Sequence, residues 1–179
     1  MSILKVARMG HPVLRDSARS LDPLEIGTPA VQRLIDDMLD TMREYQGIGL
    51  AAPQVHEGLR LFVAGIDDAE ASMPQVVMIN PVCESVSATT EEDWEGCLSI
   101  PDLRGRVPRA TEIHVRALDR NGSQLSMTAS GFPARIIQHE TDHLDGILFL
   151  DRMASLESLT FLNEYGRHWE KEGTVTSGN

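Results

Sequence analysis

Cysteine is scarce: Cys83 and Cys97 are the only two in 179 residues, too few for a disulfide framework. Basic residues are outnumbered, with 16 Lys and Arg against 27 Asp and Glu and a formal net charge of −11. A surface of that sign repels nucleic-acid phosphates and anionic lipid, so direct nucleic-acid binding is not expected. No apolar run approaches the length that spans a membrane. Lys5 and Arg8 interrupt any apolar stretch at the N-terminus, which leaves no secretory signal pattern. The expected location is the cytoplasm, where thiols stay reduced. Internal repeats and low-complexity tracts are missing, and no Gly-Lys-Ser/Thr follows the glycines near residue 47, which excludes a phosphate loop.

What remains is an ordinary globular composition, 41% apolar and 24% charged, in a chain long enough to bury a core without staples. We expect a single catalytic domain over residues 1–170 and a disordered polar tail over 171–179. The strongest helix signal runs from Thr28 to Gln46, with Thr28 as cap, Pro29 at the first helical position and Gly47 as stop. Strands are expected at Leu61–Ala64, Val76–Ile79, Ile113–Leu118 and Gln124–Thr128. The last two flank Asn121-Gly122, a hairpin turn signal. A second helix is expected over Pro133–Leu144 and a third from Leu156 to Trp169, capped by Ser155. The fold class is therefore α+β, with mainly antiparallel sheets around a central metal-binding helix that carries an HExxH sequence.

That sequence is His139-Glu140-Thr141-Asp142-His143. Imidazoles four residues apart on a helix face one ion together, and the intervening glutamate can serve as general base. Two histidines do not complete a catalytic site, which usually takes three protein ligands. Three routes to the third are open. The metzincin continuation has Gly146 in place, but its last position is Phe149, which cannot bind metal. A thermolysin-like metallopeptidase would take a glutamate from a later helix, and Glu164 is suitably separated. Cys97 offers a thiolate, although a lone cysteine is often a buried structural residue. A non-enzymatic domain with a structural metal is a further reading, but it would want a fourth protein ligand that the sequence does not offer.

Three segments favour the Cys97 route, with the thermolysin-like metallopeptidase as the alternative. Gly47-Ile48-Gly49-Leu50-Ala51-Ala52-Pro53-Gln54, Glu95-Gly96-Cys97-Leu98-Ser99 and Gln138-His139-Glu140-Thr141-Asp142-His143 together resemble the three motifs of the peptide deformylases, in the same order. Gly10–Arg15 resembles that family's N-terminal stretch, and the resemblance covers residues 3–152.

The resemblance implies a metal-dependent hydrolase that removes the N-formyl group from the formylmethionine of newly made proteins. It implies one divalent metal on Cys97, His139 and His143, natively Fe2+, with Zn2+, Ni2+ or Co2+ as alternatives. By the same resemblance Glu140 shuttles protons, and Gln54 with the backbone N–H of Leu98 donates to the formyl oxygen. Ile48, Phe132 and Ile136 would line the methionine pocket. Gly49 would hydrogen-bond the peptide, Arg104 would lie near its backbone, and Glu95 with Arg109 would support Cys97 from behind. The partners implied are N-formylmethionyl nascent peptides. Residues 151–179 carry five acidic residues and three dispersed basic ones, so ribosome binding is expected to be weak at most. Leu156, Leu159, Phe161 and Leu162 suggest packing on the domain or on a second copy, which leaves room for a homodimer.

Overall fold

The computed structural model describes residues 2–66, 73–86 and 88–170. The expected tail at 171–179 lies outside them. Helix α1 spans Pro23–Ile26 and α2 spans Pro29–Glu44. Thr28 caps α2 through its side chain, which accepts from the Val31 N–H, and Pro29 stands at the first turn. The stop differs from expectation. Gln46, not Gly47, takes the left-handed conformation, at φ 54°. The Gln46 N–H donates to Arg43 O and the Gly47 N–H to Met42 O, which closes the last turn.

A five-stranded antiparallel sheet runs β1 (Gly49–Ala51), β2 (Leu61–Ala64), β3 (Val76–Ser85), β6 (Glu112–Leu118) and β7 (Gln124–Ser130) in that spatial order. All four residues of β2 are buried, because both faces of the sheet are covered. Leu61 and Val63 face Ile35, Met38 and Met42 of α2. Phe62 and Ala64 face the other way, into a cluster with Ala134 and Ile137 of α3 (Phe132–Leu144). The second expected strand ends at Ile79, but β3 continues to Ser85 through an irregularity between Ile79 and Val82. Pro81 lacks an N–H for the ladder, so the chain bulges there and Asn80 goes to φ 52°. Asn80 then bonds Leu21 through both ends of its amide. The β6–β7 hairpin forms as expected, with Gly122 at φ 79° and the Asp119 carboxylate accepting from the Asn121 and Ser123 N–H groups.

A second sheet, of order β4-β5-β8, was not anticipated. Strand β4 (Thr90–Cys97) is acidic and β5 (Ile100–Ala110) contains two prolines and a glycine, so neither reads as a strand. Their long antiparallel pairing overrides those propensities. The expected third helix is broken. A 3-10 turn at Leu156–Ser158 is capped by Ser155, then β8 (Thr160–Phe161) pairs with Leu103 and Arg104, and α5 covers Leu162–His168. The Ser158 hydroxyl accepts from the Arg106 N–H at 3.0 Å, so edge pairing to β5 captures the segment before a helix can continue.

Helix α3 touches both sheets. A third apolar cluster joins Cys97, Ile100 and Val107 to Ala7, Leu14, Leu148 and Phe149 of α4 (Phe149–Arg152). The metal-ligand candidates sit where this cluster meets α3. Among the described residues no helix is long and apolar enough to cross a membrane.

Candidate metal centre

Cys97 is the last residue of β4, and Leu98-Ser99 make the turn into β5. His139 and His143 lie one turn apart on α3. Ligand atoms of the three residues all fall within 4.8 Å of one another, and Cys97 Sγ lies 3.2 Å from His143 Nε2. The two imidazole rings stand edge to face with centroids 5.0 Å apart. One soft thiolate and two imidazoles, all buried, suit a single transition-metal ion. The arrangement also suits metal electrostatically. Burial opposes ionisation of Cys97, yet His143 and His139 outweigh it and hold the thiol well below the usual range.

Glu140 is buried beside the triad. Burial lifts its pKa to about 7, against the pull of His139 and His143. Its Oε2 has no hydrogen-bond partner among the described residues. A buried carboxylate oxygen left free beside a ligand triad is the position a proton-transferring group requires. Gly49 on the edge strand β1 makes room for it: a Cβ there would overlap Glu140 Oε1. Gln54 is buried in the 3-10 turn Ala52–Val55. Its Oε1 accepts from the Ala51 N–H at 2.8 Å, which turns Nε2 towards Cys97 Sγ at 3.4 Å and Ser99 Oγ at 3.3 Å.

The remaining expected residues surround this group less tightly. Leu98 packs on Gly47, where a Cβ would stand 2.9 Å from Leu98 Cδ1. The guanidinium of Arg104 lies over Gly96, and a Cβ on Gly96 would overlap Arg104 Nη1. Ile48 is half-buried between α2 and β1. Ile136 is half-buried against the cluster under α3, one turn before His139 and Glu140, and Phe132 opens α3 with 47% of its surface exposed. Glu164 is not in the group. It sits half-exposed on α5, ion-paired with Arg167 and 3.4 Å from His168 Nε2, so the thermolysin-like reading loses its expected third ligand.

Behind the triad the charges are paired. His139 Nδ1 donates to Glu95 Oε2 at 2.8 Å, which turns Nε2 towards Cys97's side of the site. Arg109 donates to both Glu95 oxygens at 2.9 and 3.0 Å, as expected, and also to Asp142. Burial would raise the Glu95 pKa, but the hydrogen bonds from His139 and Arg109 bring it to about 2. Sequence reasoning missed Arg135, Asp142 and Arg152. Arg135 donates to Glu95, and Arg152 to Asp142. A charged residue between Ala134 and Ile136, on a helix with a buried side, was the available signal for Arg135.

The polypeptide deformylase family model matches residues 3–159. Peptide deformylase 1 of Prochlorococcus marinus is 42% identical over 170 residues, which cover 92% of this chain and 88% of that protein. Peptide deformylase 1 of Nitrosomonas europaea is 44% identical over 165 residues, covering 89% and 92%. The Met-Ala-Ser-bound crystal structure of class I type b peptide deformylase from Acinetobacter baumannii is similar at a TM-score of 0.80 and 38% identity, over 85% of this chain and 99% of that chain. With its Cys97, His139 and His143 donors converged in space and its sequence matched across most of both partners, the chain belongs to the peptide deformylase family.

Proposed function

We propose that this chain hydrolyses the N-formyl group from N-formylmethionyl nascent peptides, with one divalent metal held by Cys97, His139 and His143. The observation that carries the reading is the convergence of those three donors beside Glu140, whose buried Oε2 has no partner among the described residues. A divalent cation bound there would supply a nucleophilic water at neutral pH and polarise the formyl oxygen. Fe2+ is the native ion in this reading, with Zn2+, Ni2+ or Co2+ as substitutes.

The chain's own residues do the rest. Glu140 takes a proton from the attacking water and returns it to the departing amine. A pKa near 7 suits a group that must both accept and release. The Gln54 amide and the Leu98 N–H donate to the oxygen that gains negative charge. Gln54 is held for this by its bond to Ala51. The Gly49 edge of β1 can pair with an extended peptide, and Arg104 would hold the peptide's backbone further along. Ile48, Phe132 and Ile136 would receive the methionine side chain, with α3 as the central metal-binding helix. The Met-Ala-Ser bound to the Acinetobacter relative begins with the residue that deformylation would expose.

The same reading places the enzyme in the cytoplasm, working on chains that diffuse to it. Contact with ribosomes would be weak, because the segment from 151 onward is acidic. A homodimer would use the exposed Leu156, Phe161 and Leu162. The test is anaerobic purification with metal analysis and a formyl-Met-Ala deformylation assay. Stoichiometric metal with turnover, both lost in Cys97→Ala, is expected. Turnover that survives Cys97→Ala would overturn the assignment.

A further inference from the structure

The triad is divided between two elements that belong to different layers: Cys97 ends β4, and both histidines ride on α3. The distance from sulfur to imidazole therefore depends on how α3 sits against β4. Arg135 is one helical turn before His139, on the same side of α3. Its side chain is buried and every described bond of its guanidinium runs to the strands. Nη1 donates to Glu95 Oε1 at 2.9 Å, Val107 O at 2.7 Å and, more distantly, Asp93 O at 3.4 Å. Nη2 donates to Glu91 O at 2.8 Å. One side chain from α3 thus grips β4 at Glu91, Asp93 and Glu95, and β5 at Val107.

Glu95 is the pivot. Arg135 and Arg109 share its Oε1, while its Oε2 receives His139 Nδ1 and the second Arg109 nitrogen. Arg109 grips both oxygens and Arg135 adds the bond that ties Oε1 to α3, so the carboxylate's rotation relative to α3 is set, and with it the imidazole plane of His139. We infer that Arg135 is a positioning residue for the metal centre: it sets the spacing of α3 from β4 and the orientation of Glu95, and through both the geometry of Cys97 and His139. This rests on the metal-centre reading above. A lysine keeps the charge but not the planar fork, so it cannot reach Glu95, Val107 and Glu91 together.

The test uses metal-free full chain reloaded with Co2+, in wild type, Arg135→Lys and Arg135→Gln. Circular dichroism checks the fold, chelator competition gives the affinity, and the thiolate-to-cobalt absorption band reports Cys97 geometry. Folded Arg135→Lys should bind Co2+ about 10–100-fold more weakly than wild type, with a shifted or weakened band. Wild-type affinity and band in either folded variant would overturn the inference, whatever its thermal midpoint. Failure of both variants to fold would overturn it too, since Arg135 would then be only a structural clip. A wild type that binds Co2+ without a thiolate band would overturn the metal-centre reading and this inference with it, whereas a normal wild-type band with unchanged variants defeats the inference alone.

Discussion

Glu140 presses one oxygen towards Gly49 and keeps the other buried without a partner among the described residues. In the proposed reaction the histidines hold the ion and the glutamate handles protons, so its role can be separated from that of its neighbours. Glu140→Gln preserves shape and removes the titrating oxygen. Metal content should stay at the wild-type level while kcat falls by about 10²–10⁴-fold, as expected for loss of a general acid–base group. Metal analysis and deformylation kinetics on one preparation check both halves; near-normal turnover would remove Glu140 from its role. The sequence pointed to Glu140 because HExxH is a local pattern on one helix. It could not show why Gly49 must lack a side chain, since the two residues meet only after β1 and α3 pack.

Elements end and begin through short-range chemistry, and two ends make predictions. Gln46 pays a steric cost for its left-handed φ of 54° at the close of α2. Gln46→Gly should raise unfolding free energy by about 0.5–1 kcal/mol, read from chemical denaturation, after allowing for the looser unfolded chain. Gly47→Ala gives no such gain, because its Cβ would stand 2.9 Å from Leu98 Cδ1. At the other end, Asp22 and Glu25 form a capping box on α1. Hydrogen bonds from Arg19 and the Asp22 N–H bring the Glu25 pKa to about 2. The folded value lies below the unfolded one of about 4.3, so the contribution of Glu25 is complete above that pH and is lost as pH falls through about 2. An NMR titration of Glu25 should show the low midpoint in wild type and a return towards the ordinary carboxylate range in Arg19→Ala. A midpoint near 4 in the wild type would mean that the box does not hold in solution.

Across the whole molecule, the triad bridges two apolar clusters, one between α3 and the five-stranded sheet, the other beneath β4 and β5. An ion there acts as a staple, because it binds only when both layers are in place. At metal about 1,000-fold above its Kd the stabilisation is about 4 kcal/mol, or roughly 8–16 °C for a chain of this size. Calorimetry should show that rise on reloading the metal-free protein, and Cys97→Ala should abolish it. If the native ion is ferrous, air should inactivate the enzyme by oxidising the metal or Cys97, while the Ni2+ form should keep its activity. Equal decay of both forms in air would count against iron.

The sequence by itself determined the α+β class, α2 with its Thr28 cap, the β6–β7 hairpin, and the grouping of His139, Glu140 and His143 on one helix as an HExxH motif. Each is written in local order: helical spacing, a cap, a turn pair, a motif. Only the tertiary structure decided the rest. The β4–β5 sheet holds together because its strands pair along most of their length, although their acidic, proline-bearing residues argue against strands. The expected helix from Leu156 dissolved into β8 and a short α5 because β5 offered Thr160 and Phe161 an edge. The choice of Cys97 over Glu164 as third ligand became spatial fact only when β4 met α3. Arg135, Asp142 and Arg152 stayed invisible for the same reason: a buried charge is explained by partners, and their partners are distant in the chain or belong to a network that exists only once the layers close.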